Sequence, residues 1–166
     1  IVFLSGILPE GELPDARPLR SRAEVERTLE STSVPLTTLR AGIIVGPGGT
    51  SFKILDRLVD RLPFMLCPKW TCSQTQPIGL DDTLRVIDAV LGNSDYFNAE
   101  YDIVGKGVTT YYDMLKRLAK LKGRKRWIYA LPFNLPGLSR LWVALFSGLS
   151  PTMVSPLIAT LRWDLK

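Results

Sequence analysis

The spacing of apolar and polar residues along the chain predicts strands that alternate with helices. Residues 1–4 and 36–45 are rich in apolar and β-branched side chains, which is typical of strands covered on both faces of a sheet. Between them, apolar residues recur at helical spacing among charged ones, and this pattern predicts a helix over residues 19–32. The second strand stops at Gly46-Pro47-Gly48-Gly49, which lacks the spacing of a phosphate-binding loop and is interpreted as a turn.

The rest of the chain continues this alternation with shorter elements. Polar residues that favour helix N-caps, and glycines that favour helix C-termini, mark the helices. The N-caps are expected at Ser51, at Asp81 or Asp82 and at Thr109 or Thr110, and the closing glycines at Gly92 and Gly123. Short extended segments are predicted at residues 64–68, 76–80, 100–104 and 127–131, and two apolar helices at 136–146 and 151–165.

This order of elements predicts an α/β fold with parallel strands and flanking helices. Residues 1–131 are expected to form the main domain. Residues 132–166 carry the two apolar helices, which cannot be solvated on all sides and are expected to pack on that domain. Pro151 and Pro156 interrupt the longest apolar stretch, so it does not predict a membrane-spanning helix.

Composition places the 166 residues among folded globular proteins, because 46% are hydrophobic and 22% are charged. The formal net charge is +5, and basic residues concentrate in the run 120–126. That run coincides with the predicted end of a helix, where cations are favoured, so we expect no nucleic-acid partner. The apolar helices that follow leave open a contact with a membrane surface.

The sequence has no histidine and two cysteines, Cys67 and Cys72. This excludes a mixed Cys/His zinc site, and two thiols alone cannot complete a structural one, so no metal site is expected. The absence of histidine also removes the most common general base. Both cysteines are interpreted as reduced thiols, which favours a cytoplasmic protein.

Three polar segments lie where an α/β sheet could bind a ligand. Ser5 follows the first strand, at the edge where open parallel sheets bind ligands, although its hydroxyl could equally complete a turn. Arg22 and Glu26 are four residues apart on the next helix, where they could pair or form an ordinary charged surface. Trp70, beside Lys69, could bind a planar or anionic ligand or could cover an edge of the core.

The chain resembles the second half of extended short-chain dehydrogenase/reductases in five segments: IVFLSG, SRAEVE, LRAGIIVGPGG, QPIGLDD and YDIVGKGVTTYYDML. The similarity is greatest to the atypical branch of NmrA-like and nucleoside-diphosphate-sugar epimerase-like proteins. It implies the C-terminal half of a Rossmann-like parallel sheet with a small substrate-side subdomain, and NAD or NADP as cofactor. The GxxGxxG turn of that fold does not occur in the sequence, so the chain is expected to be a fragment that is inactive alone.

Residues can be carried over from this resemblance one at a time. Ser5 matches the residue that holds the substrate oxygen, and Arg22 stands at the lysine position of the catalytic Tyr-Lys pair. The tyrosine of that pair would fall at Pro18, which has no hydroxyl. Arg22 could reach a ribose hydroxyl, but it is a poor proton relay because it does not readily lose a proton.

The resemblance therefore implies catalytic roles for two residues and a slightly larger cofactor-binding set. Ser5 and Arg22 are the candidate catalytic residues, and Ser5, Arg22, Ala41, Gly42 and Ile43 are the candidate cofactor contacts. Trp70 and Gln76 are the candidate substrate contacts, for a small molecule whose identity the sequence does not give.

Three functions stay open at this point. The chain could belong to a reductase- or epimerase-like enzyme that uses another proton donor, or to a protein that binds NAD(P) without turnover as a redox sensor or scaffold. It could also be a membrane-surface or protein-interaction module that acts through its C-terminal helices. In each case an exposed strand edge predicts that the chain associates with copies of itself.

Overall fold

A computed structural model of the chain describes residues 1–8 and 17–133. The elements follow one another as β1 (Val2–Gly6), α1 (Arg17–Glu30), β2 (Thr37–Ala41), β3 (Ile44–Val45), α2 (Thr50–Arg61), β4 (Phe64–Cys67), β5 (Gln74–Thr75), β6 (Ile78–Gly79), α3 (Leu80–Val90), β7 (Ala99–Ile103), β8 (Thr109–Thr110), α4 (Tyr111–Leu121) and β9 (Trp127–Ala130). Short 3-10 helices lie at Lys69–Cys72 and Ser94–Tyr96.

The central sheet is parallel and has the order β1-β2-β7. Phe3 lies opposite Thr38 in the register of β1 and β2, and helix α1 connects these two strands in sequence. The prediction of an α/β fold with adjacent parallel strands is therefore confirmed. Among the described residues, three small two-stranded sheets accompany it: β3 with β6 and β4 with β9 are parallel, and β5 with β8 is antiparallel.

The strand predicted over residues 36–45 is divided in two at Gly42. Its first part, β2, stays in the central sheet, whereas β3 leaves it and pairs with β6. A Cβ atom at Gly42 would lie 2.5 Å from the carbonyl oxygen of Gln76. The two backbones therefore lie so close together that no residue larger than glycine fits at position 42. This crossing explains why a continuous apolar pattern does not give one continuous strand.

Two predicted helix caps are wrong and one is confirmed. Helix α2 begins at Thr50 with Gly49 as its N-cap, so Ser51 lies inside the first turn and does not cap it. Helix α3 begins at Leu80 after Gly79, so both predicted aspartates lie in its first turn, where the helix dipole still favours their charge. Thr110 does cap α4, since its side chain accepts a hydrogen bond from the backbone nitrogen of Asp113.

Many of the buried side chains within residues 1–8 and 17–133 fall into two clusters. One lies between α2, α4 and the inner face of β4, and contains Ile54, Leu55, Leu58, Val59, Leu62, Met65, Cys67, Trp70, Leu115 and Ala119. The other packs under the central sheet and contains Leu39, Ala41, Ile78, Val90 and Ile103. A surface contact ties α2 to the end of α4, because the ammonium of Lys122 lies 2.8 Å from Asp56 and 2.6 Å from Asp60.

The division of the chain into residues 1–131 and a packed segment 132–166 stays a prediction, because residues 134–166 lie outside the described residues. The same holds for the two apolar helices predicted there. In the described part of the chain, no helix is both long and apolar enough to cross a bilayer.

Candidate active site

A cavity of about 370 Å³ lies where the carboxyl ends of β1 and β2 meet the start of α2 and α4. Open parallel sheets commonly bind ligands at this edge, beyond the carboxyl ends of their strands. The residues that line the cavity include all five predicted cofactor contacts: Ser5, Arg22, Ala41, Gly42 and Ile43. Segments that are distant in sequence thus come together at one place.

Ser5 is the next-to-last residue of β1, and its position in the register lies opposite Arg40 of β2. Its hydroxyl oxygen is buried and has no hydrogen-bond partner within residues 1–8 and 17–133. A buried hydroxyl without a partner costs free energy that a bound ligand can recover. The alternative interpretation, in which this hydroxyl completes the turn after β1, has no support in these contacts.

Arg22 reaches the cavity from α1 and lies directly over Gly6. A Cβ atom at Gly6 would be 2.5 Å from Nη1 and 2.8 Å from Cζ of Arg22, so glycine makes room for the guanidinium. Burial lowers the pKa of Arg22, and the charge of Glu26 opposes that shift. The side chain is therefore a fixed cation in the cavity wall, since arginine keeps its charge even when its pKa falls somewhat.

Glu26 is buried, with 3% of its surface exposed, so the alternative of an ordinary charged helix surface is wrong for this residue. Its carboxylate accepts a hydrogen bond of 2.8 Å from Nη2 of Arg40, and Nε of Arg40 lies 3.3 Å from the same oxygen. Arg40 is also 2.7 Å from Glu100, which makes a charged network between α1, β2 and β7. Arg40, on strand β2, is thus a partner of Glu26 that helical spacing alone does not predict.

The wall formed by Ala41, Gly42 and Ile43 is held by backbone hydrogen bonds. The backbone nitrogen of Ile7 donates to the carbonyl of Ala41 at 3.0 Å, and that of Ile78 donates to the carbonyl of Ile43 at 2.9 Å. The missing side chain of Gly42 accommodates Gln76 within the protein itself. Gly42 is therefore required by the fold, whether or not its backbone also contacts a ligand.

Tyr111 is a cavity residue that sequence reasoning missed. It is the first residue of α4, its side chain is 1% exposed, and it lines the same cavity as Ser5 and Arg22. Burial raises the pKa of Tyr111 to about 12, and the hydroxyl of Thr75 opposes part of this rise. The raised pKa keeps Tyr111 neutral at physiological pH. The hydroxyls of Tyr111 and Thr75 are buried and have no hydrogen-bond partner among the described residues, so that of Tyr111 can donate to a ligand.

Trp70 and Gln76 lie behind the cavity rather than among the described residues that line it. Trp70 is 9% exposed and packs against Tyr111, with 6.2 Å between the ring centroids. Gln76 is half-buried, and its backbone rests against Gly42. Their predicted substrate contacts remain predictions; what the structure adds is that each supports a residue of the cavity wall.

The described lining of the cavity offers hydroxyl groups, one permanent cation and backbone amides, and no carboxylate is among it. Such a site can bind a planar, hydrogen-bonding group and a partly negative oxygen, because every charged or hydroxyl-bearing wall residue can donate a proton in a hydrogen bond. Proton transfer within this lining would have to involve a hydroxyl, since arginine does not readily act as a base.

No protein-family model matches the sequence, and no curated protein is significantly similar to it. Solved structures do match. A nucleoside-diphosphate-sugar epimerase from Staphylococcus aureus superposes with a TM-score of 0.72 at 14% sequence identity, covering 100% of this chain and 56% of the other.

Two further structures were solved with dinucleotides. The dTDP-4-dehydrorhamnose reductase of Bacillus anthracis, in complex with NADP, gives a TM-score of 0.62 at 14% identity over 78% of this chain and 50% of its own. The UDP-glucose 4-epimerase of Thermus thermophilus, in complex with NAD, gives a TM-score of 0.59 at 18% sequence identity, covering 99% of this chain and 62% of the other.

These matches cover between 50% and 62% of the length of the three proteins. Their sequence identity is low, so the likeness is one of fold. The prediction of a Rossmann-like architecture is confirmed: this chain has the α/β fold of the nucleoside-diphosphate-sugar epimerases and related reductases, over about half to three-fifths of their length.

Proposed function

We propose that this chain supplies the nicotinamide side and the substrate side of an NAD(P)-dependent enzyme of the reductase, epimerase or dehydratase kind. The observation that carries the proposal is the unsatisfied hydroxyl of Ser5, which shares one cavity with the buried cation of Arg22 at the carboxyl ends of β1 and β2. The match to reductase and epimerase structures with NADP or NAD supports the choice of cofactor.

The residues of the cavity fit the nicotinamide end of a dinucleotide. Ala41, Gly42 and Ile43 present a mostly apolar, backbone-lined wall, which suits a flat ring, and Ser5 supplies a hydroxyl that lacks a partner among the described residues. When bound, NAD(P) would supply the group that accepts or donates a hydride. We assign Arg22 to a ribose hydroxyl, where its permanent charge orients the ligand without exchanging a proton.

Ser5 and Tyr111 are the groups that we assign to the substrate oxygen. Pro18, at the position where the resembling family has tyrosine, has no hydroxyl, whereas Tyr111 brings one to the same cavity from α4. Because burial raises the pKa of Tyr111 to about 12, its hydroxyl stays protonated at neutral pH and can donate a hydrogen bond to a carbonyl or alkoxide oxygen. Trp70 keeps the tyrosine ring in place by packing against it.

A second function, NAD(P) binding without turnover, is favoured by one observation. A phenol whose pKa is raised to about 12 is a weaker acid than an ordinary tyrosine, and position 18 provides no alternative. A redox-responsive protein needs to bind the cofactor but does not need a proton donor for the substrate. One measurement distinguishes the two functions: the full-length protein should oxidise NAD(P)H in the presence of keto-sugar nucleotides if it is an enzyme, and should not if it only binds the cofactor.

The experiment for this chain itself uses nicotinamide mononucleotide as the probe. In a nuclear magnetic resonance titration at millimolar concentrations, we expect shifts of the backbone amides of Ser5, Gly6, Ala41 and Gly42, because these residues line the cavity. Adenosine monophosphate, which lacks the nicotinamide, is the matched probe and should leave these amides unshifted.

Two variants test whether the assigned side chains contribute to binding. Arg22→Gln removes the cation, and Ser5→Ala removes the hydroxyl, so each should weaken nicotinamide mononucleotide binding by about tenfold, equivalent to the loss of one charge-assisted or buried hydrogen bond. Arg20→Gln, on the exposed surface of the same helix, is the control. Shifts confined to residues far from the cavity, or equal affinity in all variants, would refute the assignment.

We also place the protein in the cytoplasm. Cys67 and Cys72 are both free thiols, one buried and one exposed, which supports a reducing compartment. Burial raises the pKa of Cys67 to about 12, so this thiol is unreactive at neutral pH. Detection of either cysteine in a disulfide in protein isolated from cells under alkylating conditions would contradict this placement.

A further inference from the structure

The outer face of the β4–β9 sheet is apolar and exposed. In the parallel register Phe64 lies opposite Trp127 and Leu66 lies opposite Tyr129. These four side chains, here called the aromatic face, are exposed by 53%, 65%, 41% and 48% respectively. Parallel sheets are usually covered on both sides, and exposed apolar clusters of this kind commonly mark an interaction site.

A basic groove adjoins the aromatic face. It has a volume of about 620 Å³ and is lined by Lys116, Lys120, Arg124, Lys125 and Arg126, together with Trp127 and Ile128. None of its described lining residues is acidic. Lys122, in the same stretch of sequence, is instead held by Asp56 and Asp60. The groove therefore contains four of the five basic residues of the run 120–126, together with Lys116.

Trp127 belongs to both surfaces, because it lines the basic groove and stands in register with Phe64. The two surfaces are therefore one continuous amphipathic patch. Aromatic side chains are favoured at the level of lipid headgroups, and clustered lysines and arginines are attracted to anionic lipids. The combination has the chemistry of a peripheral membrane-binding surface.

Other occupants fit this patch less well. A second copy docked through this same patch would bring one basic groove against another, and the like charges would repel each other there. Nucleic acid would engage the groove but would leave the aliphatic Leu66 without a suitable contact. Residues 134–166 contain three basic residues and one acidic residue, so they do not complement the positive charge of the basic groove.

We propose that the aromatic face and the basic groove together bind the surface of an anionic lipid bilayer. The cytoplasmic leaflet, which is negatively charged, is the membrane surface that this charge fits. The apolar side chains enter the headgroup region while Lys120, Arg124 and Lys125 contact lipid phosphates. The guanidinium of Arg126 donates hydrogen bonds to the backbone carbonyls of Val59 and Asp60 and helps to hold the groove in shape.

Flotation of the full chain with vesicles tests this proposal. We expect binding to vesicles of phosphatidylcholine with about one-third phosphatidylglycerol, little binding to pure phosphatidylcholine, and release at about 1 M salt, where the Debye length falls to about 3 Å. Trp127→Ala should weaken the partition coefficient on the order of tenfold. Replacement of both Lys120 and Lys125 by glutamine should weaken it by about fivefold for each charge removed.

The controls are matched in exposure and charge. Leu91→Ala removes an apolar side chain that directly follows α3 and is 65% exposed, the same fraction as Trp127. A Lys53→Gln and Lys106→Gln double variant removes two exposed charges that neither line the groove nor belong to the β4–β9 sheet. Both should bind vesicles like the unchanged chain, and circular dichroism should show that every variant is folded.

Several results would overturn the proposal. Absence of vesicle binding, or equal binding to neutral and anionic vesicles, would do so. So would unchanged binding by Trp127→Ala, because residues outside the patch would then account for it. Tight binding of double-stranded DNA with no binding of vesicles would assign the groove to a different partner.

Discussion

The strongest prediction from the fold concerns Glu26, the buried carboxylate between α1 and the central sheet. Glu26→Gln keeps the shape of the side chain but removes its charge, which faces two guanidinium groups. Nη2 of Arg40 lies 2.8 Å from the carboxylate, and the charge of Glu26 also acts on Arg22 in the cavity wall. The substitution therefore leaves buried positive charge without its main counter-charge.

The expected cost follows from burial. Removing one partner of a buried ion pair costs about 3–5 kcal/mol, because the other charge stays desolvated. The cost at Arg40 is reduced, because its side chain is 21% exposed to solvent and Glu100 still provides a negative charge 2.7 Å away. We therefore expect a loss near the lower end, about 3 kcal/mol of the free energy of unfolding. With a urea m-value of about 2 kcal/mol/M, the midpoint should fall by roughly 1.5 M.

Urea unfolding monitored by circular dichroism measures this loss. The matched control is Arg85→Gln, which breaks an exposed ion pair of 3.3 Å with Asp82, the two side chains being 79% and 66% exposed. That variant should cost less than about 1 kcal/mol, as exposed pairs do. If Glu26→Gln cost no more than this control, the argument that burial makes the Glu26 network strong would be wrong.

Three further predictions concern pH, the cofactor and association. Because burial raises the pKa of Tyr111 from 10.0 to about 12, its stabilising contribution is complete below pH 10 and is lost as the pH rises through 12. A pKa rise of this size corresponds to about 3 kcal/mol of stability. Urea titrations from pH 9 to 12 should show that Tyr111→Phe loses less stability than the unchanged chain, and parallel losses would contradict the assignment. The chain alone should bind NAD(P) more weakly than micromolar, because its sequence lacks the glycine-rich turn that holds the pyrophosphate, and calorimetry that gives a micromolar dissociation constant would contradict this. Light scattering should show self-association through the edge strand β1, which Leu4→Lys should reduce, whereas a strictly monomeric chain at high concentration would refute it.

The main architecture could be predicted because it depends on local patterns. Two apolar strands with a helix between them, and a turn after the second, leave few arrangements other than adjacent parallel strands. Placing Ser5 and Ala41 at the carboxyl ends of those strands is enough to bring them together at one edge of the sheet. This is why all five predicted cofactor contacts line one cavity.

The remaining features depend on contacts that are distant in sequence. The break at Gly42 is caused by Gln76, 34 positions later, and nothing in the apolar run from Ile43 to Val45 indicates it. The burial of Glu26 depends on Arg40, which arrives from a neighbouring strand. Helix caps at Ser51 and the aspartates failed because glycine, with its extended backbone, occupies the position before each helix instead.

Tyr111 shows what could have been found from the sequence. The capping threonine before it was predicted, so its location at the start of a helix was already known. Which face of the helix turns towards the cavity could not be predicted, because that depends on contacts between segments distant in sequence, such as the pairing of β8 with β5 just before the helix. A buried tyrosine next to a capped helix start is therefore a useful candidate when the expected catalytic tyrosine is missing.

The crossing of two backbones at Gly42 has a consequence for how the cavity could evolve. A Cβ atom at Gly105, next to the central sheet, would likewise overlap the carbonyl oxygen of Pro77, so residues 76 and 77 are wedged between two glycines. The segment continues directly into β6, and the backbone nitrogen of Ile78 donates a hydrogen bond to the carbonyl of Ile43, so an outward movement of residues 76 and 77 would strain the β3–β6 pair. New ligand preferences on this side must come from exchanging side chains around a rigid outline, and neither glycine is free to vary in that process.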